Sequence, residues 1–156
     1  MSAKNIWESA KSLLVAFNYE SDEQLKDFRK SLDGMLNASN VDRLIIIVSV
    51  PKDVDKNLLP PHFLIYYNSP LDFNFWNKLK DVQLESELQR AYDLMIWFGH
   101  TDAKIFPYVQ ETPVSRKIIV NDTDPSFDLQ LNAGSEVPSE MLHFVIDTLK
   151  KISSNE

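Results

Sequence analysis

Two kinds of apolar pattern alternate along this chain. Short unbroken apolar runs read as strands buried on both faces, and apolar residues recurring every three or four positions read as amphipathic helices. Residues 3–11 carry Ile6, Trp7 and Ala10 on one side, which predicts a short N-terminal helix. Leu13-Leu14-Val15-Ala16-Phe17 predicts the first strand. Ser21 and Gln24 have capping-box spacing, in which the serine hydroxyl accepts from a backbone N–H left free in the first helical turn. Behind them Leu25, Phe28, Leu32, Met35 and Leu36 share one helical face, closed by Asn37 to Asn40. The run from Arg43 to Val50 is apolar and β-branched almost throughout, so it predicts a central strand covered on both faces.

The pattern continues less regularly. Pro51, Pro60 and Pro61 make residues 51–61 a loop, and His62 to Tyr67 reads as a third strand. Asn68 to Trp76 is rich in turn residues and precedes a helix reaching about Ala91. Tyr92 to Phe98 predicts a fourth strand ended by Gly99, and a short helix is expected from Thr101 to about Thr112. Arg116 to Val120 and Phe127 to Leu131 are the fifth and sixth strands. Pro138 opens a last helix with Met141, Leu142, Val145, Leu149 and Ile152 on one face, and residues 152–156 are expected to fray. This alternation predicts one Rossmann-like α/β domain over residues 1–156: an open, mostly parallel sheet of about six strands with helices on both faces. The second-to-third and fifth-to-sixth joins lack a helical pattern, which predicts at least one antiparallel edge strand. Tyr92-Asp93-Leu94 is echoed by Phe127-Asp128-Leu129, and shared strand geometry explains the echo better than duplication does.

Composition narrows the class. A chain of 156 residues is the size of one domain. It has no cysteine, which removes disulfides, thiol nucleophiles and iron–sulfur clusters. Its longest apolar runs, such as Leu13 to Phe17 and Leu44 to Val48, are five residues. A membrane span needs about 20, so a cytoplasmic protein without membrane contact is expected. Asp and Glu outnumber Lys and Arg by 23 to 16, a net charge of −7. Phosphate backbones are held by Lys and Arg, so no nucleic-acid partner is expected. Lys26, Arg29 and Lys30 form the densest basic cluster, but Asp22, Glu23 and Asp27 dilute it.

The large motif-bearing enzyme classes find no support. Gly34, Gly99 and Gly134 are far apart, so no glycine-rich phosphate loop exists, and the P-loop and nucleophile-elbow patterns are absent. No histidine pair has metal-ligand spacing; His62 and His143 read as structural residues, and neither a metal nor a cofactor is expected. In open α/β sheets ligands lie outside the carboxyl ends of the strands. That rule selects Asn18, Ser21, Asn68, His100, Thr101 and Asp102 as a candidate ligand-binding edge, with Ser49 and Asn121-Asp122 at further strand ends. His100, behind Gly99, can serve as a general acid or base oriented by Asp102, or the segment can be a polar turn capped by His100 or Thr101. Asp122, Asp124 and Asp128 have the oxygen ligands for a divalent cation, but they also suit a turn before a strand. Phe73, Phe75 and Trp76 form a candidate interaction patch; burial of two rings within the domain is expected, with the third exposed or covered by a partner.

Three segments carry a resemblance. The strand Leu13 to Phe17 running into the Ser21 helix, Asp72-Phe73-Asn74-Phe75-Trp76, and Tyr92-Asp93-Leu94-Met95-Ile96 resemble a family of small bacterial α/β proteins of unknown function. Tyr92 to Val120 is also distantly similar to the N-terminal Rossmann half of heptosyltransferase-type glycosyltransferases, where a Tyr-Asp-Leu strand precedes a helix and a basic strand. The early glycine turn and the second, nucleotide-sugar-binding half have no counterpart here, and no catalytic residue carries over. Together these readings favour a ligand-binding or protein-interaction module, with a small molecule, a homodimer mate or another protein as partner. The alternative is a small enzyme or relic transferase acting at the carboxyl edge.

Overall fold

Strands β1 (Ser12–Asn18) and β2 (Arg43–Ser49) contain no alternating polar face, so each has to be covered on both sides. They pair in parallel, residue against residue, from Ser12 beside Arg43 to Asn18 beside Ser49. Strand β3 (Ile65–Asn68) adds outside β2, and β4 (Tyr92–Trp97), β5 (Val114–Val120) and β6 (Leu129–Leu131) add beyond β1. The order is β3-β2-β1-β4-β5-β6, the doubly wound Rossmann arrangement with its switch point between β1 and β4. A computed structural model describes residues 4–154 of the chain.

Helices cover both faces. Leu44, Ile46 and Val48 meet the layer built by α1 (Ile6–Ser9), α2 (Asp22–Leu36) and α5 (Pro138–Lys150). Ile45 and Ile47 meet the other layer, built by α3 (Val82–Leu88) and α4 (Phe106–Glu111). The Ser21 cap forms as its spacing predicts, with the serine hydroxyl accepting from Gln24 N–H at 3.1 Å, but the reciprocal half of the capping box shifts by one residue: the Gln24 side chain accepts from Glu20 N–H at 2.9 Å. Phe28 stacks on Phe17 with centroids 4.0 Å apart, which holds α2 on β1.

Several expectations need correction. All five strand pairings are parallel, and neither edge strand is antiparallel. The joins without helical pattern still cross over, because local clamps replace the helix. Lys56–Leu58 makes a 3-10 turn and Leu59 is buried, which carries the chain from β2 to β3. After β5, Asn121 turns the chain at φ 60°, and the Asp128 carboxylate accepts from Lys117 N–H at 2.7 Å to set β6 beside β5. Asp93 likewise accepts from Lys11 and Ser12 N–H groups at 2.8 and 3.2 Å. In both copies of the aromatic-Asp-Leu pattern the aspartate accepts from backbone N–H of the neighbouring strand, at the start of β1 for Asp93 and in the middle of β5 for Asp128.

The third strand starts late because the His62 ring and carbonyl accept from Leu64 and Ile65 N–H groups, making a turn. The helix expected from Thr101 begins only at Phe106, after turns closed by Ala103 N–H to His100 and Phe106 N–H to Ala103. The carboxyl end is tied down rather than loose. Ile152 accepts from Ile6 N–H at 2.9 Å, Ser153 bridges Asn5, and Ser154 N–H donates to Lys4 at 2.9 Å. Residues 155–156 of the expected tail, and residue 3 of the expected first helix, lie outside the described residues.

Ile46 is 4% exposed in the middle of β2, so Ile46→Asp buries an unpaired carboxylate. Such a change costs about 4 kcal/mol or more and leaves little folded protein, which circular dichroism will show. Tyr92 supplies a pH test. Its hydroxyl donates to the Glu87 carbonyl at 2.8 Å beneath the Arg43 guanidinium, and burial pushes its pKa from 10 up to about 12. The folded state therefore retains a proton that the unfolded chain has lost, so stability is whole below pH 10 and falls as pH rises towards 12. Urea melts across this range should fall less steeply for Tyr92→Phe than for the natural chain.

Candidate functional site

The three strands on one side of the switch point all end on a small hydrogen-bonding residue. Asn18 closes β1, Ser49 closes β2 and Asn68 closes β3, and the sheet register puts them side by side in one row. Two residues earlier the same face carries Ala16, Ile47 and Tyr66, which pack on the α3/α4 layer. Strand alternation therefore turns the row towards that layer, at the edge where the apolar core stops. None of the three side chains makes a hydrogen bond within the described chain, although Asn68 is only 4% exposed. Among the described residues the buried side-chain polar atoms without a partner are Arg43 Nη1 and the Trp97 indole nitrogen, so the Asn68 carboxamide keeps its polar atoms accessible and open to a ligand.

The row forms the floor of a cavity of about 340 Å³, within the size range of small-molecule sites. Val50, Pro51, Pro70 and Ala103 supply apolar walls, while His100, Asp102, Lys104 and Glu20 stand around it. Gly99 keeps the floor close-packed. A Cβ there would lie 3.0 Å from the Trp97 indole and 3.1 Å from Asn18 Oδ1. Trp97 is fully buried one step below Asn18, in register with Ala16, and its indole N–H has no acceptor in the described chain.

Electrostatics at the switch point oppose a phosphate. In this architecture a pyrophosphate sits on the N-terminus of the helix after the first strand, held by free N–H groups and the helix dipole. Here Ser21 already satisfies Gln24 N–H, and Leu25 N–H is bonded to the Ser21 carbonyl. Glu20, Asp22 and Glu23 surround that turn with carboxylates. The Tyr19 hydroxyl donates to Asp22 at 2.6 Å, and that hydrogen bond raises the phenol pKa. Beyond β4, a smaller cavity of about 70 Å³ is lined by Glu20, Asp122 and Glu136 as well, which extends the acidic strip.

The predicted edge residues divide. Asn18, Asn68, His100 and Asp102 line the same cavity. Ser21 is taken up as the α2 cap, and Thr101 lies in the turn after His100; neither lines it. His100 is exposed and makes no side-chain hydrogen bond, so Asp102 does not orient it, and α4 is capped by neither His100 nor Thr101. Lys104 was not legible as a lining residue, because residues 101–105 read as helix rather than as the turns that bring it over the strand ends.

A wider, open depression beyond β5 and β6 has a volume of about 740 Å³, but its chief polar residue is committed. Asn121 donates to Ser135 carbonyl and accepts from Ala133 N–H, both at 2.8 Å. The aspartates nearby are structural: Asp124 accepts from the Ser126 hydroxyl, which lowers its pKa, and Asp128 clamps β5. Among the described residues no group of three or more His, Asp or Glu side chains can hold a metal ion. Nor is any described helix long and apolar enough to cross a membrane.

The aromatic cluster also differs from expectation. Only Phe73 is buried, at 7% exposure, while Phe75 and Trp76 are 93% and 80% exposed. Phe73 fits under the loop because it bridges Leu79 and packs beside Tyr108, which leaves its neighbours at the tip. No family model matches the chain, and no curated protein matches its sequence.

Gly99→Ala tests how tightly the floor is built. The new methyl would press on the fully buried Trp97 indole at 3.0 Å, so the substitution should lower stability by about 1–3 kcal/mol, measured by urea melts. A more stable variant would contradict the packing described above.

Proposed function

We propose that this protein is a small-molecule-binding domain whose ligand is held by neutral hydrogen-bonding groups at the carboxyl edge of the sheet. The observation that carries the reading is the in-register row Asn18, Ser49 and Asn68, whose side chains have no hydrogen-bond partner among the described residues and which lines an apolar-walled cavity. Two carboxamides and a hydroxyl offer both donors and acceptors, so they match uncharged ligands with amide, hydroxyl or heterocyclic edges. The acidic, self-capped first turn of α2 disfavours nucleotides and sugar nucleotides anchored through phosphate. The same feature weighs against a relic transferase. An enzymatic role for His100 draws no support from an orienting partner, so binding is the better reading.

Native mass spectrometry of the purified protein, followed by thermal shift against paired compounds, tests this. Each pair is an uncharged nucleoside, monosaccharide or amide and its phosphorylated counterpart. The expected result is a raised Tm with a member of the uncharged set and a smaller effect from its phosphate. Asn68→Ala should weaken that binding about tenfold, the cost of one lost hydrogen bond to the ligand. Tighter binding of the phosphorylated partners would overturn the reading.

A further inference from the structure

The most exposed apolar side chains of the protein all come from one segment. Among the described residues, Leu58, Phe63, Leu71, Phe75, Trp76 and Val82 are each 65–93% exposed, and all lie within residues 58–82. That segment surrounds the edge strand β3. The Tyr67 hydroxyl ties β3 to the Pro60 carbonyl at 2.6 Å, and the Lys56–Asp72 ion pair, also at 2.6 Å, joins the turns before and after it.

The exposure is not that of a loose loop. Asn74 Oδ1 accepts from Trp76 and Lys78 N–H groups at 2.9 and 3.0 Å, Asn77 adopts φ 60°, and buried Phe73 bridges buried Leu79. Phe75 and Trp76 stand at the tip of this braced turn, edge to face, with centroids 5.7 Å apart. A braced backbone has already lost part of its conformational freedom, which lowers the cost of ordering this tip in a contact.

We propose that this face is the interface of a homodimer, with a second copy of this chain as its occupant. The area fits. Three rings at 80–93% exposure present on the order of 500 Å², and Leu58, Leu71 and Val82 bring the surface near the ~800 Å² per partner of a standard interface. The charge fits as well. Within residues 58–82, Asp72 and Asp81 balance Lys78 and Lys80, whereas the whole chain carries −7. Two copies repel one another over most of their surface but meet here without net like charge. A partner chosen by charge would dock on the acidic remainder instead. The β3 edge, Ile65 to Asn68, contains neither a charge nor a proline, the usual devices that keep an edge strand from pairing. A two-fold axis beside β3 lets each copy present the same patch to the other.

Light scattering on the full chain from about 1 to 100 µM, the range of moderate association, should give a mass about twice 18.0 kDa that falls on dilution. The double substitution Phe75→Ser with Trp76→Ser should weaken the dimer at least tenfold while leaving circular dichroism and Tm unchanged, because both rings are exposed. Trp76 also reports the contact directly, since Trp7 and Trp97 are 1% and 0% exposed. The natural chain's emission should shift to the red on dilution as Trp76 meets water. Phe63→Ser is an independent second variant, on the other side of β3 in sequence, and should weaken the same equilibrium. A monomer of 18.0 kDa at 100 µM, or a dimer indifferent to these substitutions, overturns the proposal.

Discussion

The need to cover β1, β2 and β4 on both faces governs this structure. Their central residues are apolar without interruption, so every backbone polar group there must pair within the sheet and every side chain must meet a helix layer. Once β1 and β2 pair in register, their ends coincide. Polar side chains can then appear only where the sheet stops, which concentrates Asn18, Ser49 and Asn68 in a single row. The candidate site is thus a consequence of core formation, and its floor inherits the rigidity of the core beneath it. Gly99 and Trp97 show how close that coupling is: the glycine has no space for a methyl group because the indole fills it.

The site departs from the habit of its architecture in one respect. Doubly wound sheets usually recruit a helix N-terminus at the switch point as an anion site, which requires free N–H groups and backbone close to the ligand. Here the turn after β1 is Asn18-Tyr19-Glu20-Ser21, without glycine, and its helix caps itself. The Ser21 cap stabilises α2 and takes up the Gln24 N–H, one of the donors a phosphate would use. Carboxylates around the same turn add a repulsive field. The neutral row Asn18, Ser49 and Asn68 lies along the same edge, across the ends of β1, β2 and β3.

Crossovers without helices shape the opposite, β3 side. The chain passes from β2 to β3 and on to α3 through 3-10 turns and a braced loop, which bury little of their own apolar surface. Leu59, Phe73 and Leu79 anchor these segments, while their neighbours Leu58, Phe75 and Trp76 remain outside. Short anchored turns have two sides and only one can face the core. An apolar residue on the outer side is stabilising only if a further surface covers it.

Much of the fold was legible in the residue pattern because strand burial and helix amphipathicity are local signals. The unbroken runs at 13–17 and 44–48, the Ser21 cap and the face of α5 determined the strand and helix types, and with them the α/β class. The candidate edge was legible in part, since Asn18 and Asn68 follow apolar runs directly. Three things were decided by tertiary structure alone. The parallel sense of β3 and β6 depends on how the connecting turns fold back against the sheet, as where the Asp128 carboxylate accepts from Lys117 N–H, and no periodic pattern records that. The convergence of Ser49 and Lys104 on Asn18 and Asn68 depends on sheet register and on the turns that replace helix at 101–105. Which of Phe73, Phe75 and Trp76 is buried depends on the bridge to Leu79, because three adjacent rings have the same hydrophobic tendency and only geometry separates them. Local periodicity determined what each segment is; the long-range pairing of segments decided which side chains meet.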